Sequence, residues 1–452
     1  MTPAVLADLR DALGDLVSTD PADLESARSD KSGHLTSAAP LAFVAARSIE
    51  DVQATLRIAS AHGVPVVPRG AGTGLAGGAS AGPGEIVLST GSMKRIIEIS
   101  AADELAVVEP GVINAELNAV LAAQGLWFAP DPASRAISTV GGNIATNAGG
   151  LLCAKYGVTR EAVLGLKVVL ADGRLLSLGH RSVKGVTGLD LTALMIGSEG
   201  TLGVIVEATV RLRPVVRAVA TIGAYFPDVV TAAAASAGIT AARIRPAAME
   251  LLDAASLRAI GAYLSLDLAS RGNAYLLVQT DGEGGTAEAA AAMEIIRTLG
   301  GDAELTTDPE EAERLLAIRR AFHPSLEAIG SVLIEDVAVP RSALPDMFTA
   351  INQIETKYGM SIPTVAHAGD GNLHPNFFYD GVTVPPEVWA AADEVFQAAL
   401  RLGGTLTGEH GVGILKRRWI GQELGADQLE LQRQLKQVFD PAGILNPGKV
   451  FS

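Results

Sequence analysis

The sequence predicts an α+β protein with two main domains, and three observations support this fold class. The chain has 452 residues, which is too many for one ordinary hydrophobic core. Short apolar runs typical of strands alternate with longer runs that have helical spacing. Glycine-rich stretches thin out between residues 215 and 404. We therefore expect a ligand-binding domain with glycine-rich loops, followed by a domain whose mixed or antiparallel sheet carries helices on one face.

The order of elements sets the expected domain boundaries. Residues 1–40 predict an amphipathic helix and a connector, residues 41–214 the first domain, residues 215–404 the second, and residues 405–452 a segment that returns to the first. Ser48 is the expected cap of an early helix in the first domain, and Gly63 its end. In the second domain, the run from Val332 to Val339 predicts a single strand.

Composition excludes several classes of protein. The formal net charge of -15 argues against a nucleic-acid partner or an anionic membrane surface. The single cysteine, Cys153, excludes an internal disulfide framework and an iron–sulfur cluster with four cysteine ligands. Residues 1–20 lack the pattern of a signal peptide, and Pro227 and Asp228 interrupt the most apolar long stretch. We expect a cytoplasmic protein that reaches a membrane only through a partner.

Three stretches of small residues stand out in the predicted first domain. The first runs from Pro68 to Gly78, the second from Ser138 to Gly150 and the third from Gly197 to Gly203. Converging backbone N–H groups in such a loop can bind a phosphate or pyrophosphate, although a flexible surface loop has the same composition. The first stretch is neither a Walker A loop nor a well-placed Rossmann fingerprint. We interpret the first two as loops that line a long ligand, and the third as the start of a strand from Val204 to Leu212.

Three of the seven histidines fall in two short stretches, which run from His367 to His374 and from Gly408 to Gly411. A Gly-Asp-Gly-Asn turn predicts a hairpin that returns His374 towards His367. Imidazole and carboxylate groups are ligands that a divalent ion such as zinc accepts, and a catalytic site uses three of them. Histidines beside a tight turn can instead simply bond to backbone carbonyls, so this alternative stays open.

These motifs together resemble the FAD-linked oxidase family, whose flavin domain is of the vanillyl-alcohol-oxidase type. The chain is most similar to the branch of FAD-dependent D-2-hydroxy acid dehydrogenases, which includes D-lactate dehydrogenase, the flavin subunit of glycolate oxidase and D-2-hydroxyglutarate dehydrogenase. The resemblance extends from Leu41 to Lys449 and includes five motifs in the same order. It implies a two-part FAD-binding domain and a substrate domain that also binds metal.

The resemblance implies a set of residues that bind FAD, with the first loop on the pyrophosphate. These residues are Arg69, Gly70, Ala71, Gly72, Thr73, Gly74, Gly77, Gly78, Pro130, Ser138, Thr139, Gly142, Asn143, Thr146, Asn147, Gly149, Gly150, Glu199, Gly200, Gly203, Ile205 and Asn446. Family members with covalently attached flavin often carry a histidine in or near the first loop. This chain has Thr73 between two glycines there, so we expect non-covalent FAD.

The resemblance also implies roles for the histidine-rich stretches. His367, His374 and Glu409 would hold a divalent ion, with zinc preferred and manganese or iron compatible, and His410 would be the catalytic base. Oxidation of a 2-hydroxy acid removes a proton from the hydroxyl and a hydride from the carbon. A divalent ion stabilises the developing alkoxide, and an imidazole with a pKa near the operating pH accepts the proton.

Two further residues are expected to bind the substrate. Arg319 can bind the substrate carboxylate through both oxygens, although Arg320 competes for the role and either arginine can be a solvated helix residue. Asn372 can add a hydrogen bond. Family members that oxidise hydroxyglutarate carry a lysine in the strand that matches residues 332–336, and this chain has none there. This difference favours lactate, glycolate or a longer apolar 2-hydroxy acid over D-2-hydroxyglutarate.

Other functions remain open from the sequence. One is a metal-free flavin oxidase of an alcohol or phenol, and another is a flavin subunit that only relays electrons. With no nicotinamide fingerprint, the expected electron acceptor is a quinone, a cytochrome or an electron-transfer flavoprotein. A homodimer is compatible with the sequence.

Overall fold

The computed structural model describes residues 2–216, 218–381 and 383–451. Within these ranges the chain forms two compact units. The first unit comprises residues 2–150, 157–215 and 409–451, and the second comprises residues 151–156 and 216–408. The short excursion 151–156 therefore belongs to the second unit, although its neighbours along the chain belong to the first.

Strands and helices alternate through both units. The strands are β1 Val17–Ser18, β2 Ala42–Ala45, β3 Val66–Arg69, β4 Ile86–Ser89, β5 Ile96–Ser100, β6 Leu105–Val108, β7 Leu126–Trp127, β8 Val163–Val169, β9 Leu175–Gly179, β10 Val204–Arg211, β11 Arg213–Pro214, β12 Val219–Phe226, β13 Ala248–Leu252, β14 Ala274–Asp281, β15 Asp302–Thr306, β16 Ser331–Ile334, β17 Val337–Ala338, β18 Thr364–His367 and β19 Asn372–Tyr379. The helices are α1 Thr2–Leu13, α2 Pro21–Ser26, α3 Ile49–His62, α4 Asn114–Ala122, α5 Val140–Thr146, α6 Cys153–Tyr156, α7 Thr159–Ala162, α8 Leu191–Met195, α9 Val229–Ala241, α10 Ala254–Leu264, α11 Gly285–Thr298, α12 Pro309–Arg320, α13 Phe322–Glu327, α14 Leu344–Tyr358, α15 Pro386–Arg401 and α16 Ile420–Phe439. No helix within the described ranges is long and apolar enough to cross a membrane.

The first unit contains two sheets and one additional strand pair. The four-stranded sheet has the order β1-β2-β4-β3, in which β2, β4 and β3 are parallel and β1 is antiparallel. The five-stranded sheet, β5-β6-β10-β8-β9, is antiparallel throughout, and β7 pairs with β11. Because β3 ends at Arg69, the parallel sheet sets where the first glycine-rich loop begins.

Local sequence accounts for the early helices of this unit. Ser48 accepts a hydrogen bond from Asp51 N, and the Asp51 side chain accepts one from Ser48 N, so α3 begins with a capping box. Gly63 ends α3 in the left-handed conformation. The predicted helix between these residues is confirmed. Val5 and Leu9 of α1 are buried in one hydrophobic cluster with residues of α3, so α1 forms part of the core.

The C-terminal segment bonds to the parallel sheet of the same unit. Val66 N donates to Ile444 O at 2.7 Å, and Asn446 N donates to Val66 O at 2.8 Å. The Lys436 ammonium, near the end of α16, donates to Thr201 O at 2.8 Å and to Leu445 O at 2.8 Å. These bonds hold Asn446 beside β3, close to the start of the first loop.

The second unit is organised around an antiparallel sheet with the order β15-β12-β14-β13-β18-β19-β16, in which β17 also pairs with β19. Helices contact both faces of this sheet. On one face of β12, a Cβ added to Gly223 would lie 2.8 Å from Leu315 of α12. On the opposite face, Phe226 of β12 and Ile296 of α11 both lie next to the position that a Cβ on Gly301 would take. The prediction of helices on one face only is wrong, because β12 is buried along almost its whole length and not on alternate residues.

The hairpin predicted around the histidines is confirmed. Strands β18 and β19 are antiparallel, with His367 opposite Asn372 and Val365 opposite His374. Residues opposite each other in an antiparallel pair point to the same face, and so do residues two apart on one strand. His367 and His374 are therefore diagonal neighbours on one face of the hairpin.

Two predicted elements differ in the structure. The stretch 138–150, predicted as a loop, contains the short helix α5, which Thr139 caps at its start and Asn147 ends in the left-handed conformation. The predicted strand from Val332 to Val339 divides into β16 and β17. The division occurs opposite Pro375, which has no N–H group to donate to the ladder.

Candidate functional site

The first glycine-rich loop, residues 69–78, offers a row of hydrogen-bond donors. The backbone N–H groups of residues 70–78 donate to no other group in the described part of the chain. Arg69 braces the loop, since Nη1 donates to Ala79 O at 2.7 Å and Nη2 donates to Ser26 O at 3.2 Å. A Cβ on Gly72 would collide with this guanidinium. Such a row of N–H groups can bind the oxygens of an anionic ligand.

The second stretch contains two buried polar atoms that lack a protein partner. Ser138 Oγ and Asn143 Nδ2 are both buried, and neither has a hydrogen-bond partner among the residues that the structure describes. Thr139 Oγ1 accepts from Gly142 N at 3.2 Å, and a Cβ on Gly70 would lie 2.5 Å from the same oxygen. The first loop and α5 are therefore in close contact. Because buried polar atoms are normally bonded, Ser138 and Asn143 fit a polar ligand at this place.

The third stretch is joined to the C-terminal segment through Glu199 and Asn446, and both residues are buried. Asn446 Nδ2 donates to Glu199 O at 2.7 Å and to Gly78 O at 3.0 Å. Glu199 Oε1 accepts from Val412 N at 2.7 Å, and Oε2 accepts from Gly413 N at 2.9 Å. Burial raises the pKa of Glu199 to about 7, although these two N–H groups act to lower it.

Every residue that the sequence assigns to FAD lies in the first unit. The remaining ones are Ala71, Thr73, Gly74 and Gly77 in the first loop, Pro130 before the second stretch, Thr146 and Asn147 at the end of α5, Gly149 and Gly150 after it, and Gly200, Gly203 and Ile205 around the start of β10. The uncommitted N–H groups and the two buried polar atoms suit a long, polar, anionic ligand. These features fit FAD.

The histidine hairpin forms the polar part of the second unit. His367 is 5% exposed and His374 is 3% exposed. Their ring centroids lie 5.2 Å apart, with the ring planes at 83°. Imidazoles are among the ligands that a divalent metal ion accepts. His367 Nδ1 bonds to the carboxylate of Glu250.

Glu250 of β13 links the hairpin to α12. His367 Nδ1 donates to Glu250 Oε1 at 2.7 Å, and Arg319 Nε donates to Glu250 Oε2 at 2.7 Å. Burial acts to raise the pKa of Glu250, but the charges of His367 and Arg319 lower it overall. Glu250 thus fixes both an imidazole and a guanidinium.

Asp336 organises the other side of the hairpin. Asn372 Nδ2 donates to Asp336 Oδ1 at 2.6 Å and to Val337 O at 2.8 Å. Thr407 Oγ1 donates to Asp336 Oδ2 at 2.6 Å, and His374 Nδ1 lies 3.8 Å from Oδ1. Sequence reasoning did not identify Glu250 or Asp336 as site residues. Their position could have indicated them, because each is a carboxylate within or just after an apolar strand. Such a group is rarely buried unless it is paired.

The two arginines that competed as substrate ligands differ in their surroundings. Arg319 is 7% exposed, so it is not the solvated helix residue that the sequence left open. Its Nη1 and Nη2 groups donate no hydrogen bond within the described residues. Arg320 is exposed and paired with Glu313. Only Arg319 therefore has the burial and the connection to the histidine hairpin that a substrate ligand requires.

Glu409 and His410 are the first residues of the chain after it returns to the first unit. Glu409 lies against Gly149, where a Cβ would collide with its carboxylate. His410 Nε2 lies 3.9 Å from Glu409 Oε1. Gly408, the residue before them, belongs to the second unit and lies against Asn372.

Comparison with known proteins finds a family match for each half of the chain. Residues 40–179 match a family described as an FAD binding domain, and residues 215–450 match the C-terminal domain of FAD linked oxidases. The glycolate oxidase subunit GlcD of Bacillus subtilis (strain 168) is 41% identical, covering 91% of this chain and 89% of that protein. A D-lactate dehydrogenase of Archaeoglobus fulgidus is 37% identical, covering 89% of each protein. A D-2-hydroxyglutarate dehydrogenase of Xanthomonas citri pv. viticola is 35% identical, covering 100% of this chain and 98% of that protein.

Solved structures support the fold. A p-cresol methylhydroxylase with substrate bound has a TM-score of 0.81 at 18% identity, covering 99% of this chain and 96% of that one. An alkyldihydroxyacetonephosphate synthase has a TM-score of 0.75 at 20% identity, covering 98% of this chain and 85% of that one. The fold class predicted from the sequence, with its flavin domain of the vanillyl-alcohol-oxidase type, is confirmed.

Proposed function

Since the chain belongs to the FAD-linked oxidase family, we propose that it oxidises a D-2-hydroxy acid to the 2-oxo acid with the help of a divalent metal ion. One observation carries the proposal: two adjacent buried imidazoles lie beside a buried arginine that Glu250 holds in place. Relatives named glycolate oxidase subunit and D-lactate dehydrogenase support the substrate class.

Arg319 would bind the substrate carboxylate. Its Nε group is committed to Glu250, which orients the guanidinium and leaves Nη1 and Nη2 to donate to an anion. A planar guanidinium can bind both oxygens of a carboxylate, and burial strengthens such a bond by excluding water. Asn372 would contribute less, because its Nδ2 group already donates to Asp336 and Val337.

His367, His374 and Glu409 would hold the metal ion. His367 Nδ1 donates to Glu250, so the metal ion would bind through Nε2, and such carboxylate–histidine pairs recur at metal sites. Zinc suits a set of two imidazoles and one carboxylate, and manganese and iron accept the same ligands. When bound, the ion would stabilise the negative charge that develops on the substrate hydroxyl oxygen.

His410 would accept the hydroxyl proton. It follows Glu409 directly along the chain, so a ligand and a base come from one short segment. FAD, held without a covalent bond by the first unit, would supply the hydride acceptor. A quinone, a cytochrome or an electron-transfer flavoprotein would then take the electrons. The word subunit in the name of the Bacillus relative favours an acceptor on a partner chain.

D-Lactate or glycolate is favoured as the substrate over D-2-hydroxyglutarate. The second carboxylate of hydroxyglutarate needs its own cation, and the chain after β16 instead supplies two acidic residues, Glu335 and Asp336. D-2-Hydroxyglutarate remains the second candidate, since the Xanthomonas relative with that name matches the chain over its whole length.

Anaerobic bleaching of the flavin tests the proposal. The isolated chain, reconstituted with FAD and zinc, is mixed with D- and L-lactate, glycolate and D-2-hydroxyglutarate, and the flavin absorbance is followed with time. We expect bleaching by D-lactate or glycolate that is lost on chelation and restored by zinc. Bleaching that survives complete metal removal would identify a metal-free oxidase. No bleaching by any of these acids would identify a subunit that only relays electrons.

A further inference from the structure

The segment 409–415 contacts all three small-residue stretches of the first unit. Glu409 lies against Gly149 in the second stretch. Val412 N and Gly413 N donate to Glu199 in the third. Ile414 N and Leu415 N donate to Ala76 O in the first loop, at 2.8 Å and 3.2 Å. The residues expected to supply a metal ligand and a base are therefore held by the loops that fit FAD.

We propose that Glu199 is a positioning residue, whose carboxylate fixes the segment that carries Glu409 and His410 and links metal binding to the flavin loops. This inference rests on the proposed function. It differs from the expectation that the sequence raised, in which Glu199 only lines the flavin. Both of its oxygens are already occupied by the backbone of the segment.

The segment needs such a restraint because of its glycines. Gly411 and Gly413 have φ angles of 85° and 48°, in the left-handed region that glycine enters freely. Flexible backbone of this kind does not hold neighbouring side chains in one place by itself. The Glu199 carboxylate packs on Gly411, where a Cβ would lie 3.0 Å from it, and bonds to the next two N–H groups. His410 is the residue directly before this fixed stretch.

Glu199 is in turn held by its own backbone contacts. Its N–H donates to Ala145 O at 2.8 Å, and its carbonyl accepts from Asn446. Its φ angle of 51° is uncommon for a residue other than glycine and persists only where the surroundings impose it. A ligand that orders these loops would also order the segment. Because coupling between two sites is reciprocal, FAD should strengthen metal binding and the metal should strengthen FAD binding.

The substitution Glu199→Gln tests this role. Glutamine has one acceptor oxygen, so one of the two N–H groups loses its partner, while the size of the side chain is unchanged. Glu109→Gln is the matched control, because Glu109 is also buried in the first unit and accepts from Arg95 N at 2.8 Å and Arg95 Nε at 2.9 Å. It bonds to no residue of the segment. Hydrogen exchange of peptides covering residues 409–415, flavin content and zinc affinity are measured at pH 8, with and without FAD.

We expect Glu199→Gln to retain FAD, to raise amide exchange in the segment at least tenfold and to weaken zinc binding at least tenfold. The gain in zinc affinity that FAD gives the wild type should shrink, and Glu109→Gln should change none of these. Unchanged exchange overturns the proposal. Loss of FAD with unaltered zinc affinity also overturns it, since Glu199 would then act on the flavin alone. If the wild type binds no zinc and no 2-hydroxy acid bleaches its flavin, the proposed function fails, and the exchange result still decides whether Glu199 holds the segment.

Discussion

Two buried glutamates show how the two units use the same side chain differently. Glu199 in the first unit accepts hydrogen bonds from neutral backbone N–H groups, and its pKa rises to about 7 because burial outweighs them. Glu250 in the second unit is also buried, but it lies between His367 and Arg319, whose charges lower its pKa overall. Burial alone does not decide the charge of a carboxylate. In this protein the charged partners of Glu250 overcome the loss of water, whereas the two neutral donors to Glu199 do not.

This difference has a consequence for each residue. Glu250 must be ionised to hold a guanidinium and an imidazole, so a substitution that removes its charge disrupts both contacts. Glu199 needs two acceptor oxygens more than it needs a charge. Substitutions of Glu199, of Glu250 and of the segment that Glu199 holds should therefore have effects of different size. Their effects on stability should also differ in pH dependence.

The largest expected effect is that of His410→Ala. Loss of the general base should slow flavin reduction by a 2-hydroxy acid by about 10²–10⁴-fold, with FAD and metal still bound. Stopped-flow absorbance measures the rate. If Glu199 acts through this segment, adding Glu199→Gln to His410→Ala should slow the reaction less than Glu199→Gln does in the wild type. A rate for His410→Ala within a factor of a few of the wild type would contradict the assignment.

The next effect is that of Glu250→Gln, which removes the charge shared by Arg319 and His367. Breaking a buried ion pair costs about 3–5 kcal/mol of unfolding free energy, because the remaining charge lacks its partner. Zinc affinity should also fall by about 10–100-fold, as expected when the carboxylate behind a metal-binding histidine is changed. Urea unfolding and calorimetric titration measure these quantities. Wild-type stability in this variant would show that the two glutamates do not differ as described.

Glu199→Gln should cost less stability than Glu250→Gln. One buried N–H group loses its partner, which costs about 1–3 kcal/mol, and the loss of a poorly solvated charge offsets part of that cost. Urea unfolding at pH 8, where Glu199 is mostly ionised, makes the measurement. A cost equal to that of Glu250→Gln would mean that the charge of Glu199 is stabilised as well as that of Glu250.

The pH dependence of stability should reveal Glu199 directly. Its pKa in the folded protein lies above the ordinary value of 4.5, so the folded state favours the protonated carboxyl. This group therefore contributes stability below pH 4.5 that is lost as the pH rises through about 7, and the loss amounts to about 3 kcal/mol. The nearby charges of Lys416 and Asp30 act in opposite directions. Relative to Glu199→Gln, the wild type should therefore lose about 3 kcal/mol of unfolding free energy between pH 4.5 and about 7, and parallel curves would contradict the shift.

The smallest effect is expected for Arg320→Ala. This arginine is exposed and pairs with Glu313 on its own helix, and such surface pairs contribute at most about 1 kcal/mol. The KM for the 2-hydroxy acid should stay at the wild-type value. A large rise in KM would shift the carboxylate-binding role from Arg319 to its neighbour.

Elements that depend on neighbouring residues could be predicted from the sequence. The capping box of Ser48 and Asp51, the glycine-rich loop after Arg69 and the hairpin between His367 and His374 each follow from local chemistry. Such features need only short-range contacts, and the residues that make them are adjacent in the chain. The pairing of the two imidazoles on one face then follows from the two-residue period of a strand.

Which charged side chains meet depends on long-range packing and could not be predicted from the sequence. Glu250 comes 117 residues before His367 and 69 before Arg319, and no pattern within β13 indicates that these three side chains will bond. The same is true of Glu199, which reaches Val412 and Gly413 across 213 and 214 residues. Which faces of the sheet in the second unit carry helices could likewise not be predicted from a single strand. A strand buried on both faces lacks the alternation of apolar and polar residues that marks one buried face. Long-range pairing is set by how whole elements pack, and this packing gives the two glutamates their different partners.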